Sequence, residues 1–395
     1  MNRLNLGFNF EVKYLLFLGF VFLTLFEISN SRKEKRINST TFFFLIVTFT
    51  YVFLSTISTL YAKSQILAFE KLISLFFLLV LTISILYIVK EMKPGIFLNY
   101  VTGFFVILGI VYAIPVVFSV LSGASRGDVN LSGPNVATRI LFFAYCSSLY
   151  RYNLYEKIPY LLLGIGFLAS IVLIGSRGGL VAAIVTLAFL FAIKRVFLPW
   201  NFKKNIKITY KQLLLFPLCL GVIFLVYEPV KRVFMGRVIG TTFANETVYT
   251  SGRDVLYAEA ISMIKERPIF GNGLASFTAS TGSVYPHNLL LEMILEVGLL
   301  GLAFFLIFLM FSISFIFKMK KTPLFILSGI PLYMIIAQMF SGEFYDFRYY
   351  FLWSVVLSFY GVLNKSEVYL ENKKVNIKEY KRRKWKMYVW NKKYT

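Results

Sequence analysis

The chain has 395 residues, of which 58% are hydrophobic and only 15% charged, with a mean hydropathy of +0.70. Soluble domains carry roughly 45–50% apolar and about 25% charged residues, so a water-soluble globular fold is excluded, and repeated apolar runs of about 20 residues make this a polytopic helical membrane protein. A formal net charge of +23 would point to nucleic acid in a soluble chain; here Lys and Arg gather in short loops and a tail, as membrane topology and anionic head groups favour, and no nucleic-acid partner is expected.

The expected fold is all-α, an integral membrane bundle of about eleven transmembrane helices, or twelve if the first residues hold a further short one. The runs lie near 14–29, 41–61, 70–89, 96–120, 136–150, 158–174, 178–194, 211–227, 288–317, 323–341 and 348–363. The fifth is short and carries Arg139 at its entrance. The first ends at Glu27 and a basic loop without a small-residue cleavage site, so it reads as retained. Cys146 and Cys219 both fall inside apolar runs and read as small core residues, with no metal-ligand spacing around them.

Basic residues mark alternate loops: Arg32, Lys33, Lys35 and Arg36, then Lys90 and Lys93, then Arg151 and Lys157. Lys194, Arg195, Lys203, Lys204, Lys207 and Lys211 follow, then Lys318, Lys320 and Lys321. These loops and the tail read as cytoplasmic. The opposite series, at 61–70, 121–135, Gly175–Gly179, 228–287 and 341–347, is rich in Gly, Ser and Asn and reads as outward. The expected organisation is a transmembrane domain over 1–363, with a long extracytoplasmic loop at 228–287, and a basic cytoplasmic tail over 364–395. That assignment places the C-terminus inside and, on eleven spans, the N-terminus outside. No internal repeat suggests a transporter made of inverted halves.

The outward loop still carries Lys231, Arg232, Arg237, Arg253, Lys265 and Arg267. Cations on the disfavoured side are explained simply by an anionic ligand. Arg177, in LIGSRGGLVAAIV, stands where one apolar run ends and the next begins, at a depth where a charge costs roughly 2.5–3.5 kcal/mol on insertion scales. Its glycine neighbours permit a tight turn, and the start of the following helix offers free N–H groups to phosphate oxygens. The plainer alternative is an arginine snorkelling to lipid phosphate.

Arg253, in TSGRD, precedes an amphipathic helix predicted over Val255–Lys265, with Ser251 and Asp254 placed to cap it; a local pair with Asp254 or Glu259 is equally open. Arg232, Arg237 and Arg267 are weaker candidates, solvated by default. His287 is the sole histidine and suits general-base work near neutral pH, although a lone histidine is more often structural. Glu292 and Glu296 lie one turn apart on the face below it, where they could orient the imidazole, meet sugar hydroxyls, contact Arg253, or simply favour a helix N-terminus.

The combination is more telling than any member: SRGG at a helix start, SGRD and PIFGNG in the long loop, then PHNLLLEMILEVGLLG. This order resembles the O-antigen ligase/polymerase superfamily of membrane glycosyltransferases, most strongly over about 165–310, with His-Asn-x-x-x-Glu-x-x-x-Glu-x-Gly as the more specific part. The Gly-Pro-Asn at Gly133–Asn135 is similar to an Asn-bearing outer loop of that family.

The resemblance implies a GT-C-like, metal- and cofactor-independent enzyme of the bacterial cytoplasmic membrane. It implies undecaprenyl-pyrophosphate-linked oligosaccharides as donor and acceptor on the outer face, membrane lipids, and a chain-length regulator as a further partner. It places the essential residues at Arg177, Arg253 and His287, with Asn135, Arg237, Arg267, Asn288 and Glu292 as further substrate-binding candidates. A repeat-unit polymerase for O-antigen, capsule or exopolysaccharide is the favoured expectation. A ligase delivering glycan to lipid A core or protein, and a transporter of lipid-linked glycans, are the alternatives.

Overall fold

The computed structural model describes residues 38–124, 127, 133–194, 231, 235, 252–342 and 344–360. The expected spans at 14–29 and 211–227, Arg237 and the basic tail lie outside the described residues. Among the described residues every regular element is helical: α1 Ser39–Ser58, α2 Gln65–Glu91, α3 Pro94–Leu121, α4 Pro134–Tyr155, α5 Ile158–Ile174 and α6 Arg177–Lys194. They continue with α7 Arg253–Glu266, α8 Ser276–Thr281, α9 Leu289–Val297, α10 Leu299–Met319, α11 Gly329–Gln338 and α12 Arg348–Tyr360. Ser39–Tyr61, Gln65–Glu91, Pro94–Leu121 and Leu299–Met319 are long and apolar enough to cross a bilayer unaided; Ile158–Ile174, Arg177–Ile193 and Pro323–Gln338 are shorter apolar helices.

Each start follows local chemistry. Asn38 caps α1, its Oδ1 accepting from Thr41 N at 2.8 Å, and its Nδ2 donates to Ser358 O at 2.6 Å, tying the first described helix to the last. Prolines begin α3 and α4, where a missing N–H leaves nothing unsatisfied. On α3 the exposed set Tyr100, Phe104, Ile107, Val111, Ile114 and Phe118 recurs at three- and four-residue intervals, the stripe a helix presents to lipid.

α4 differs in kind. Every residue from Ala137 to Ser148 is buried, so this helix is wrapped by protein, packing on α3, α5, α6 and α11. Arg139, at the entrance of this run, is enclosed with it: it is 3% exposed, donating to Asp346 Oδ2 at 3.0 Å and to Ser341 O at 2.5 Å. Two expected spans are also corrected. The one at 288–317 is broken at Gly298 into α9 and α10, and the one at 323–341 is a short 3-10 turn, Pro323–Phe325, followed by α11. Gly298 has φ 69° and ψ −148°, a backbone essentially confined to glycine, and Leu299 N is satisfied by Pro268 O at 3.0 Å rather than by its own helix.

The described loops divide into two ends. Asn38 with Ser358, Tyr360 Oη with Val89 O at 2.7 Å, Arg151 with Asn99 O at 2.8 Å and Lys318 with Thr40 Oγ1 at 3.2 Å gather the lysine- and arginine-marked loops at one end. Tyr61 Oη with Phe270 O at 2.7 Å, Gly127 N with Leu173 O at 2.6 Å, and Ser176 with Asn135 gather the Gly-, Ser- and Asn-rich loops at the other. The candidate residues belong to this second end.

Candidate functional site

Three helix beginnings frame the site. Arg177 is the first residue of α6, Arg253 the first of α7, and His287 directly precedes Asn288, the cap of α9. Ser176 supports the first: its hydroxyl lies 3.4 Å from Gly179 N, an N-cap contact, and donates to Asn135 Oδ1 at 2.7 Å. Asn135 is thus joined to the Ser-Arg-Gly-Gly turn from α4. Gly178 and Gly179 are there for proximity: a Cβ on Gly178 would run into the Phe340 side chain, and one on Gly179 would lie 2.6 Å from Thr138 Cγ2.

α7 begins on Gly252 at φ 75°, without a side-chain cap bond, and its N-terminus carries the partial positive charge of a helix start. Tyr257, one turn along, donates to Met339 O at 3.3 Å. The short turn Met339–Gly342 is therefore a hub: Phe340 meets the α6 start, Met339 holds α7, and Ser341 O receives Arg139 from α4.

His287 is half-buried on a left-handed backbone at φ 59°, with its ring 4.4 Å from that of Tyr285 between centroids. Burial first, and then the positive charge of Arg253, hold its pKa below the ordinary 6.5, so the imidazole is neutral at physiological pH. Its Nδ1 is buried and has no hydrogen-bond partner among the described residues. Arg253 likewise has no carboxylate partner among them. The structure thus brings Arg253 and His287 within electrostatic reach of each other and connects Arg177 to them through the Met339–Gly342 turn.

The remaining candidates fall into different places. Asn288 spends its Oδ1 on Leu291 N at 3.2 Å, capping α9. Glu292 is 2% exposed and receives Lys71 Nζ, which also donates to Glu296 Oε1 at 2.6 Å. Arg267 closes the far end of α7, about 20 Å from Arg253 along the helix axis. There it lines an open cleft of about 490 Å³ with Tyr61 and Pro268–Gly271. No cluster of metal ligands occurs among the described residues.

Lys71 and Arg139 are the residues that sequence reasoning passed over. Each stood as a single cation at the start of an apolar run, a position that itself signals a partner. Their partners lie more than 200 residues away.

Residues 161–306 match the family described as O-antigen ligase. Over this stretch the chain is similar to that family. Comparison with curated proteins gives no match. Members of the family are membrane glycosyltransferase-like enzymes of ligase or polymerase type, and the apolar helices make this chain an integral membrane protein. The matched segment holds Arg177, Arg253, His287, Glu292 and Glu296. Lys71, Asn135, Arg139 and the Met339–Gly342 turn, which support those residues, come from outside it.

Proposed function

We propose that the protein transfers a glycan from an undecaprenyl-pyrophosphate-linked donor to a sugar hydroxyl at the outer face of a bacterial cytoplasmic membrane. The observation carrying this reading is that Arg177, Arg253 and His287 each stand at the start of a helix, two of them positively charged and the third held neutral. Helix N-termini add partial positive charge, and together with two guanidiniums they suit a departing diphosphate.

In this reading Arg177 and Arg253 grip the pyrophosphate oxygens in the forked geometry that lysine reproduces poorly. His287 takes the proton of the acceptor hydroxyl. The acceptor oxygen attacks the anomeric carbon, the bond from that carbon to the phosphate oxygen breaks, and the polyprenyl pyrophosphate leaves with the bonding pair. One displacement inverts the anomeric configuration. No metal is required, because the arginines and helix ends neutralise the leaving group.

The acceptor we favour is a second lipid-linked repeat unit, which makes the protein a surface-polysaccharide polymerase, with a chain-length regulator as its natural partner. The family description favours the second reading, a ligase. Purified protein in liposomes with a lipid-linked repeat unit separates them: a ladder of products means polymerase, and one transfer to a distinct acceptor means ligase. Wild-type turnover is expected to survive EDTA; unaltered glycan under all acceptor conditions would overturn the assignment and favour transport.

A further inference from the structure

The backbone of His287 lies where an L-residue stays only if its surroundings over-determine it. Those surroundings form an arc from Ala275 to Glu296, anchored at both ends on one carboxylate. Glu296 Oε1 accepts from Ala275 N at 2.9 Å, across 21 residues of chain. Within the arc Thr278 Oγ1 donates to Val284 O at 2.8 Å, and Asn288 caps α9. Asn272 N, just before the arc, donates to Leu295 O at 2.7 Å, fastening the same two strands of chain.

What holds the anchoring carboxylate is Lys71 from α2. Its Nζ bridges Glu292 and Glu296, and the side chains of the two glutamates are 3% and 2% exposed. The bridge faces away from solvent and is not a substrate contact of the reaction proposed above. Its effect passes through α9 and α8, the two helices between which the histidine is suspended.

We infer that Lys71 is a positioning residue for His287, acting through Glu292 and Glu296 to fix the arc that carries the imidazole. The catalytic half of this inference rests on His287 acting as base; the geometric half stands without it. The charged and titratable groups around the arc, besides Lys71 and the two glutamates, include Arg253 from α7, Lys63, which donates to Ser280 Oγ at 3.2 Å, Tyr285 on the arc itself, and Tyr51 of α1 beside the two carboxylates.

Because the chain has one histidine, protein labelled with 15N-histidine in lipid nanodiscs gives a single imidazole signal, which reads the position of His287 without turnover. In Lys71→Met this signal is expected to shift or split. With lipid-linked donor, kcat is expected to fall between roughly tenfold and 10²-fold, the range for a misplaced catalytic group, with KM unchanged. Lys318→Met, at the opposite end, should leave both unaltered. If Lys71→Met does not fold, Glu296→Gln keeps the side-chain shape, weakens the ion pair, and should displace the same signal; Glu292→Gln is the milder version. A wild-type imidazole signal and kcat in any folded member of this set overturns the inference. Turnover surviving in His287→Asn would instead overturn the base role, and the imidazole shifts of the Lys71 set would still report on positioning.

Discussion

Two sets of charges meet at the same end of the bundle and are handled in opposite ways. Lys71 is paired with the buried Glu292 and Glu296, and the buried Arg139 with the half-buried Asp346, with backbone groups taking up further valences. Arg253 is half-buried at a helix start whose cap, Gly252, makes no side-chain bond, and its charge is felt at a neutral histidine. A buried ion pair maintains a shape, because losing one partner strands the other. A cation left at a helix N-terminus instead favours an anion that arrives from outside. In the proposed mechanism the first set is architecture, and the second receives the ligand.

The sharpest break in that contrast is chemical. His287→Asn, which keeps a residue tolerant of the left-handed backbone, is expected to lower glycan transfer by about 10²–10⁴-fold, the usual worth of a general base, with normal folding in detergent. Arg253→Ala should cost about 10²–10³-fold in kcat, as for loss of one preorganised donor, with Arg253→Lys recovering only part.

The two arginine variants also differ in pH dependence. In the proposed mechanism the neutral imidazole is the working form, so the rate should be lost as pH falls through its folded pKa, on the acid side of 6.5. Arg253→Ala removes a like charge and should move that acid limb to higher pH; Arg253→Lys should leave it in place. Identical profiles in both would dissolve the link between the two side chains.

On the architectural side, Lys71→Met should cost about 3–5 kcal/mol, the range for stripping one partner from a buried ion pair, read as a fall in thermal midpoint in detergent. Gly178→Ala forces a methyl into Phe340 and should cost about 1–3 kcal/mol. Ser176→Ala should cost about 1 kcal/mol through the α6 cap. If the Lys71 variant were as stable as wild type, the division between matched and open charges would lose its meaning.

Much of this was legible in the sequence because hydropathy is local. The apolar runs at 41–61, 70–89, 96–120, 158–174 and 178–194 correspond to α1, α2, α3, α5 and α6 within a few residues. The break at Gly298 was hidden because Glu-Val-Gly-Leu-Leu-Gly continues an apolar run; only the docking of Pro268–Gly271 against it turns the glycine into a stop. Arg253 and Arg177 were legible as charges in unfavourable places, and His287 as the sole histidine. Lys71 was not, since its meaning depends on carboxylates 221 and 225 residues away. Asn135 acquired its role only when α4 folded beside the α6 turn.

The interruption at Gly298 also settles a question of length. By itself α10 has 21 residues, about 31 Å at 1.5 Å per residue, which already equals the hydrocarbon thickness of a typical bilayer. The nine residues of α9 are thus surplus to the crossing. They pack back against the start of the lipid-spanning segment, Gly301 lying against Met293 O, so the bend that carries the histidine leads directly into a short helix tied to the bundle, and rigid support is what sub-ångström placement of a reactive group demands.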